Sequence, residues 1–254
     1  MRKALKKTDR ILNIILPLIT VGIIILLWAA AAKAVDSEYI LPSVGDTFIA
    51  AFRLLKSQEF YVAFFSTFLR SVLAFLISYV LAALTAALSY KFQNAERLLS
   101  PLITIIRALP TIAVVLLLIV WTNSKVAPVI VTMLVVYPTL YTGLLNALKG
   151  IDKDLNEMCK VFGVSKKNRV FKVVLPQIAP AFITSAGAAL TLNLKLMVAA
   201  EVLSQTAKSM GYLLNTAKIY FEISTMIALV VFTVITGLII EVVFGIWAKK
   251  AVKG

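Results

Sequence analysis

Apolar positions along the chain fall into six long blocks separated by short polar intervals, so the pattern predicts a polypeptide that crosses a bilayer repeatedly. A helix needs about 20 apolar residues to cross a hydrocarbon core of about 30 Å. Blocks at about 11–34, 61–89, 98–121, 128–148, 177–200 and 225–248 reach that length. Proline breaks are the informative irregularities within them. Leu109-Pro110 interrupts the third block, and a proline at membrane depth frees a backbone carbonyl that only protein or a water-filled cavity can satisfy. That points the third span toward a packed interior or a pathway. Pro128 opens the fourth block, which is expected to kink near Tyr137-Pro138, and Pro180 sits in the first turn of the fifth. Ala181, Ser185 and Ala189 then recur four apart and lead to Asn193 on the same face. Small residues at that spacing let helix backbones approach closely, which is how helices associate where lipid is as apolar as the core.

One long interval breaks the apolar pattern: 149–176, KGIDKDLNEMCKVFGVSKKNRVFKVVLP. Gly150 ends one helix and Asp152 is a good N-cap; Leu155, Met158, Cys159 and Phe162 then follow at the spacing of one helical face. Gly163 suits the left-handed residue that closes a helix. Ser165 is placed to cap a second short helix through Val170, Phe171 and Val174. Leu175-Pro176 is expected to stop that helix, because proline has no N–H to continue the ladder. The predicted helix–turn–helix carries Lys153, Lys160, Lys166, Lys167, Arg169 and Lys172 beside an apolar stripe too short to span a bilayer. Such a stripe needs a surface to bury against. A protein partner and an anionic lipid surface both answer that need.

Composition agrees with the pattern: 61% of the residues are hydrophobic and only 15% charged, at a mean hydropathy of +0.95. The chain is therefore expected to be an all-α polytopic membrane protein with six transmembrane helices. Its net charge of +14 would suggest nucleic acid in a soluble chain, but the basic residues cluster at the ends of the apolar blocks. With both termini in the cytosol, inner segments hold 17 of the 26 cations: five before residue 11, Lys91, Arg97, seven in 149–172, and Lys249, Lys250 and Lys253. Outer segments hold Lys33, Arg53, Lys56, Lys125, Lys208 and Lys218. That bias follows the positive-inside rule, places the 149–176 loop in the cytosol and leaves no support for a nucleic-acid role. Ala32-Lys33-Ala34 has the small residues of a signal-peptidase site. The apolar run before it exceeds the ~7–15 residues of a signal-peptide core, so cleavage is not expected. The lone Cys159 makes no internal disulfide, and the absence of histidine excludes histidine metal sites and histidine-based triads. No catalytic, metal-ligating or cofactor-binding residue is expected.

The loop also carries a resemblance. Bacterial ABC-importer permeases share a cytoplasmic pattern E-A-A-x3-G-x9-I-x-L-P, and Glu157-Met158-Cys159, Gly163 and Val173-x-Leu175-Pro176 fall in that register. Met158 and Cys159 replace the two alanines and Val173 the isoleucine, all keeping the face apolar. Further along, Leu41-Pro42-Ser43 before an amphipathic 48–55, Ser66-Thr67-x-x-Arg70, Glu96…Pro101…Arg107-Ala108-Leu109-Pro110, Ser124-Lys125, and Ala200-Glu201 followed by Gly211 resemble the nitrate/sulfonate/taurine-type branch. Departures are the missing glycines around Phe75 and after Trp121, and Lys195 standing near a position where members often carry a tryptophan-like residue. They bear on substrate more than on fold.

The resemblance implies a type I importer permease in a bacterial inner membrane, with residues 1–254 as one permease domain and 149–176 as its coupling loop. It implies a homodimer, two ATP-binding subunits on the cytoplasmic side and an extracytoplasmic substrate-binding protein. Leu155, Glu157, Met158, Cys159, Phe162, Gly163, Leu175 and Pro176 become the residues expected to meet the ATPase. No G-x4-G-K-[ST] phosphate loop occurs, so ATP hydrolysis is expected to reside in that partner and not in this chain. The solute is expected to be a small organic anion, nitrate or a pyrimidine-like vitamin precursor.

Charges buried in a membrane cost a few kcal/mol on insertion scales and need a reason. Arg107 and Glu241 lie toward the inner leaflet and Arg70, Lys195 and Glu201 toward the outer, which makes Arg107–Glu241 and Arg70–Glu201 candidate pairs. Lys195 and Glu201 also sit where a side chain snorkels to the interface. Asn193, Thr191, Tyr137 and Arg107 are the polar groups expected to line a pathway, with interhelical hydrogen bonding as the competing role. The alternative class is a secondary transporter or channel not driven by ATP, for which Glu201 and Glu241 are the only embedded carboxylates and no internal repeat is visible.

Overall fold

The computed structural model describes residues 2–253, apart from the side chains of residues 2–14, 18, 153, 156, 160, 252 and 253. Among the cations placed on the inner side above, those of residues 2–10 and Lys153, Lys160 and Lys253 thus have side chains outside the described residues. The chain builds helices α1 (Arg2–Val35), α2 (Val44–Leu54), α3 (Gln58–Lys91), α4 (Gln93–Ala108), α5 (Thr111–Trp121) and α6 (Ala127–Lys149). It continues through α7 (Lys153–Val161), α8 (Lys166–Arg169), a π-helical turn (Val170–Val174), α9 (Leu175–Ser204), α10 (Met210–Ile219) and α11 (Ile223–Lys253). Five of the helical stretches are long and apolar enough to cross a membrane, and α4 with α5 makes a sixth if that bent pair is one span.

The chain divides into two compact units. One comprises the chain up to Ser57 with Thr216–Val230, and the other Gln58–Asn215 with Val231 onward. In the first, Ser43 caps α2 by accepting from the Asp46 N–H at 3.1 Å, and Trp28 Nε1 donates to the Pro42 carbonyl at 3.1 Å. In the second, α3, α6 and α9 pack on one another around Ala82, Ala86, Val136, Leu140, Leu144, Ala189, Leu190 and Leu194. The α3 surface in this core carries Ser71, Ala74, Ser78, Ala82, Ala86 and Ser89, all buried, so the helix axes approach on small side chains. Gly143 of α6 lies equally close to α9, where a Cβ would stand 3.2 Å from Ser185 Oγ.

Several sequence expectations shift at helix ends. The third span breaks where Leu109-Pro110 predicts, with α4 and α5 bent by 92°, but α4 begins at Gln93, before the apolar block. Pro138 lies inside α6, which continues unbroken to Lys149. The second loop helix does not stop at Leu175-Pro176: α8 runs through the π turn into α9, and Leu175 N–H bonds the Val170 carbonyl, five residues back. A widened turn gives the proline ring room against the preceding carbonyls, so its missing N–H sits at the opening of α9 and not at a chain reversal. Pro180 consequently falls inside α9 and not in its first turn. At its far end α9 runs to Ser204, which places Glu201 within the helix and not in an outer segment.

Candidate functional site

Two regions concentrate chemistry: the charged loop, and a polar knot where α3, α9 and the start of α10 meet. In the loop, Asp152 Oδ1 accepts the N–H groups of Asp154 and Leu155 at 3.0 and 3.1 Å, which starts α7. Gly163 takes φ +66°, the left-handed value that ends α7, and nothing lies within 4 Å of where its Cβ would be. Ser165 Oγ accepts from the Asn168 N–H at 3.3 Å and starts α8. The loop is tied to the membrane helices at both ends. Gln177 Oε1 accepts the Asp152 N–H at 3.0 Å, and Lys149 pairs with Glu96 of α4.

These ties leave the apolar loop face uncovered. Leu155, Met158, Val161, Phe162, Val170, Phe171 and Leu175 are all exposed, Val161 at 84% and Phe162 at 76%. Glu157, Gly163 and Pro176 are exposed beside them and Cys159 is half-buried. The residues singled out from the sequence pattern therefore form a cluster of free apolar side chains on a polar, basic element.

The polar knot centres on Glu201, whose side chain is fully buried. Its Oε1 accepts from Arg70 Nε at 3.0 Å, and Arg70 Nη2 lies 2.8 Å from the same oxygen in an ionic contact. Its Oε2 accepts from Thr67 Oγ1 at 2.8 Å and, at 3.4 Å, from the Gly211 N–H. Thr67 Oγ1 in turn accepts the Met210 N–H at 2.9 Å, so α3 and α9 share one network with the opening of α10. Gly211 is required by this closeness, since a Cβ there would stand 2.4 Å from Glu201 Cβ and 2.5 Å from Val202 N. Glu201 therefore does not snorkel. Ser204 and Thr206 share a 2.7 Å hydroxyl bond, and Thr206 Oγ1 donates to the Ser124 carbonyl beneath the same loop.

The other embedded polar residues separate by partner. Asn193, fully buried, donates from Nδ2 to the Ser71 carbonyl at 2.6 Å and to Ser71 Oγ at 3.0 Å, while its Oδ1 meets no donor. Thr191 Oγ1 donates to the Gly237 carbonyl of α11 at 3.2 Å, and Tyr137 OH to Thr85 Oγ1 of α3 at 3.1 Å. Lys195 is exposed. Arg107 is not brought to Glu241: its Nη2 donates to the Pro138 carbonyl at 3.0 Å and to Thr142 Oγ1, both on α6, while Glu241 is exposed on α11. Thr67, Thr142, Ser71 and the Met210 and Gly211 amides complete these contacts. Of them, only the Ser66-Thr67-x-x-Arg70 grouping and Gly211 carried a signal in the sequence.

Comparison with known proteins places this architecture. The chain is 22% identical over 234 residues to the putative aliphatic sulfonates transport permease protein SsuC of Bacillus subtilis (strain 168), covering 91% of this chain and 84% of that one. It is 23% identical over 167 residues to the formylaminopyrimidine transport permease protein ThiX of Halalkalibacterium halodurans, covering 63% and 64% of the two. In three dimensions it is similar to a chain in the crystal structure of a bacterial alginate ABC transporter in complex with an alginate pentasaccharide-bound periplasmic protein. The TM-score there is 0.65 at 15% identity, over 99% of this chain and 98% of that one. Residues 78–253, which include α6, the whole loop and α9, match the family of binding-protein-dependent transport system inner membrane components, and the chain belongs to that family of ABC-importer permeases.

Proposed function

We propose that two copies of this chain form the pathway of an ATP-driven importer for a small organic anion of the sulfonate or formylaminopyrimidine kind, with 149–176 as the lever that an ATPase subunit moves. The observation that carries the lever is the uncovered apolar face of the loop, led by Val161 and Phe162. A free apolar cluster on a basic element is the surface a partner groove buries, and α7 is held rigidly enough to transmit force through Asp152, Gln177 and the Lys149–Glu96 pair. ATP binding closes the ATPase dimer, draws the two loops together and tips the pathway outward; release after hydrolysis returns it inward. The cation bias of the inner segments supports cytosolic termini and a cytosolic loop.

Arg107 supports an anionic solute. It ends α4 at the 92° break, is held by Thr142 and the Pro138 carbonyl, and has no carboxylate within ion-pair distance among the described residues. A guanidinium so placed keeps donors for a carboxylate, sulfonate or phosphate-like group.

Co-purification with an ATP-binding subunit tests the lever. Gly163→Pro, which cannot adopt φ +66°, and Phe162→Glu should each abolish the complex while membrane insertion is unchanged. Retention of the ATPase by both variants would return the loop to a lipid-surface element. Uptake in proteoliposomes tests the solute: Arg107→Gln should slow import of an aliphatic sulfonate at least tenfold, and an unchanged rate would remove Arg107 from the pathway.

A further inference from the structure

The unit formed by the chain up to Ser57 and Thr216–Val230 contains a groove of about 610 Å³. It is bounded by Glu38 and Tyr39, by Asp46 and Arg53 on α2, and by Phe221 and Glu222 at the entry to α11. In a chain of net charge +14, this groove brings together three carboxylates against one guanidinium. None of the three is within ion-pair distance of a cation among the described residues, and Glu38 and Glu222 are exposed. The groove is thus a negative focus that the rest of the chain does not neutralise.

Its rim is aromatic. Tyr39 is 76% and Phe221 68% exposed, with Ile40 and Tyr220 also exposed beside them. Tyr and Phe are among the residue types enriched in the cores of protein interfaces. Phe221 carries a further signal, because its backbone sits at φ 57°, a region unfavourable for a bulky side chain. The turn that holds it closes α10: Phe221 N–H bonds the Lys218 carbonyl at 3.2 Å and Glu222 N–H the Ala217 carbonyl at 2.8 Å. Glycine is the usual occupant of this left-handed position after a helix. A phenylalanine kept there, with its ring in solvent, does nothing for the turn and points to work outside it.

We propose that this groove seats a basic, lysine- or arginine-bearing lobe of the importer's extracytoplasmic binding protein, clamped between Tyr39 and Phe221, an inference that rests on the topology and partners of the proposed function. Positive side chains enter against Glu38, Asp46 and Glu222, and the two rings close over the lobe's apolar shoulder. The sign of the groove argues against anionic lipid headgroups as its occupant. Charge-led docking makes association strongly salt-dependent, because screening acts over about 8 Å at physiological ionic strength.

The test uses the whole importer with its ATPase subunits in nanodiscs and the purified binding protein as probe, with affinity measured from 50 mM to 500 mM salt. Wild type should bind with an affinity that falls steeply with salt. Glu38→Lys with Glu222→Lys should weaken binding at least tenfold at low salt and flatten the salt dependence, while recovery of the permease–ATPase complex stays the same. Phe221→Gly, which relieves the backbone, should weaken binding several-fold with thermal stability equal to or above wild type; that combination separates a docking role from misfolding. Wild-type binding that neither variant changes overturns the groove and leaves the importer reading standing. No binding by wild type at any salt overturns both. Variants that alter the permease's own dimerisation instead of binding-protein affinity assign the groove to a second copy of the chain and overturn the proposal.

Discussion

Removing the Glu201 carboxylate is the most demanding test of the polar knot. In Glu201→Leu the Arg70 guanidinium, only 20% exposed, loses its counter-ion, and the Thr67 hydroxyl and Gly211 N–H lose their acceptor. Breaking a buried pair by deleting one partner costs about 3–5 kcal/mol, and the partial exposure of Arg70 argues for the lower end, about 3 kcal/mol. Arg70→Met should cost a similar amount, because it strands a fully buried carboxylate with only two neutral donors. Removing both charges leaves only those donors unsatisfied, for a cost of about 1–3 kcal/mol, so the double-mutant cycle should return a coupling of at least about 2 kcal/mol. A charge swap is the wrong double variant here. An arginine at 201 would face the Thr67 hydroxyl and Gly211 N–H, which donate into that position, and no rescue is expected. Equilibrium unfolding in mixed micelles, followed by the fluorescence of the three tryptophans, gives the four free energies. Additivity of the single variants to within about 0.5 kcal/mol would refute the reasoning.

Other positions give sharper local outcomes. Gly211→Ala places a methyl 2.4 Å from Glu201 Cβ and 2.6 Å from its backbone carbon, so the start of α10 must shift; a loss of about 3 kcal/mol in the same unfolding assay is expected. Gly163→Ala meets open space and suffers only the left-handed backbone cost of about 1–2 kcal/mol. It should weaken ATPase co-purification mildly where Gly163→Pro abolishes it. Thr142→Val removes one Arg107 contact while keeping the side chain's shape, and should cost about 1 kcal/mol of stability and raise the KM for solute uptake more than it lowers kcat. Lys208 is exposed at φ 53°, so Lys208→Gly should leave the melting temperature unchanged or slightly raised.

The membrane spans and the loop were legible because each rests on a local rule. Block length gave the spans, Asp152, Gly163 and Ser165 gave the loop's two helix ends and its turn, and the Leu109-Pro110 break gave the bend between α4 and α5. The extent of α9 was not legible, because Pro176 reads as a stop signal unless the π turn before it is known. Whether a helix absorbs a proline by widening one turn depends on what it packs against, and local sequence does not carry that. The same limit hid the small-residue seam of α3. Its serines and alanines lie among bulky residues that face outward, so the block reads as uniformly apolar until α6 is laid against it.

Depth along a span orders embedded charges into candidates but does not choose partners. Arg70 and Glu201 share a depth and pair; Arg107 and Glu241 also share one and do not. The difference lies in what else is available. Around Glu201, two backbone amides and a hydroxyl converge because the chain turns back after Ser204, so a buried carboxylate is surrounded by donors and its cation completes the set. Arg107 ends α4 beside a stretch of α6 that offers a carbonyl and a threonine hydroxyl, acceptors sufficient to orient a guanidinium without neutralising it. A charge satisfied in geometry but not in sign is the arrangement that a transported anion can complete and then leave, whereas the Arg70–Glu201 pair has no charge left to offer. The two arginines thus divide the work: Arg70 fixes the scaffold, and Arg107 is held ready for the solute.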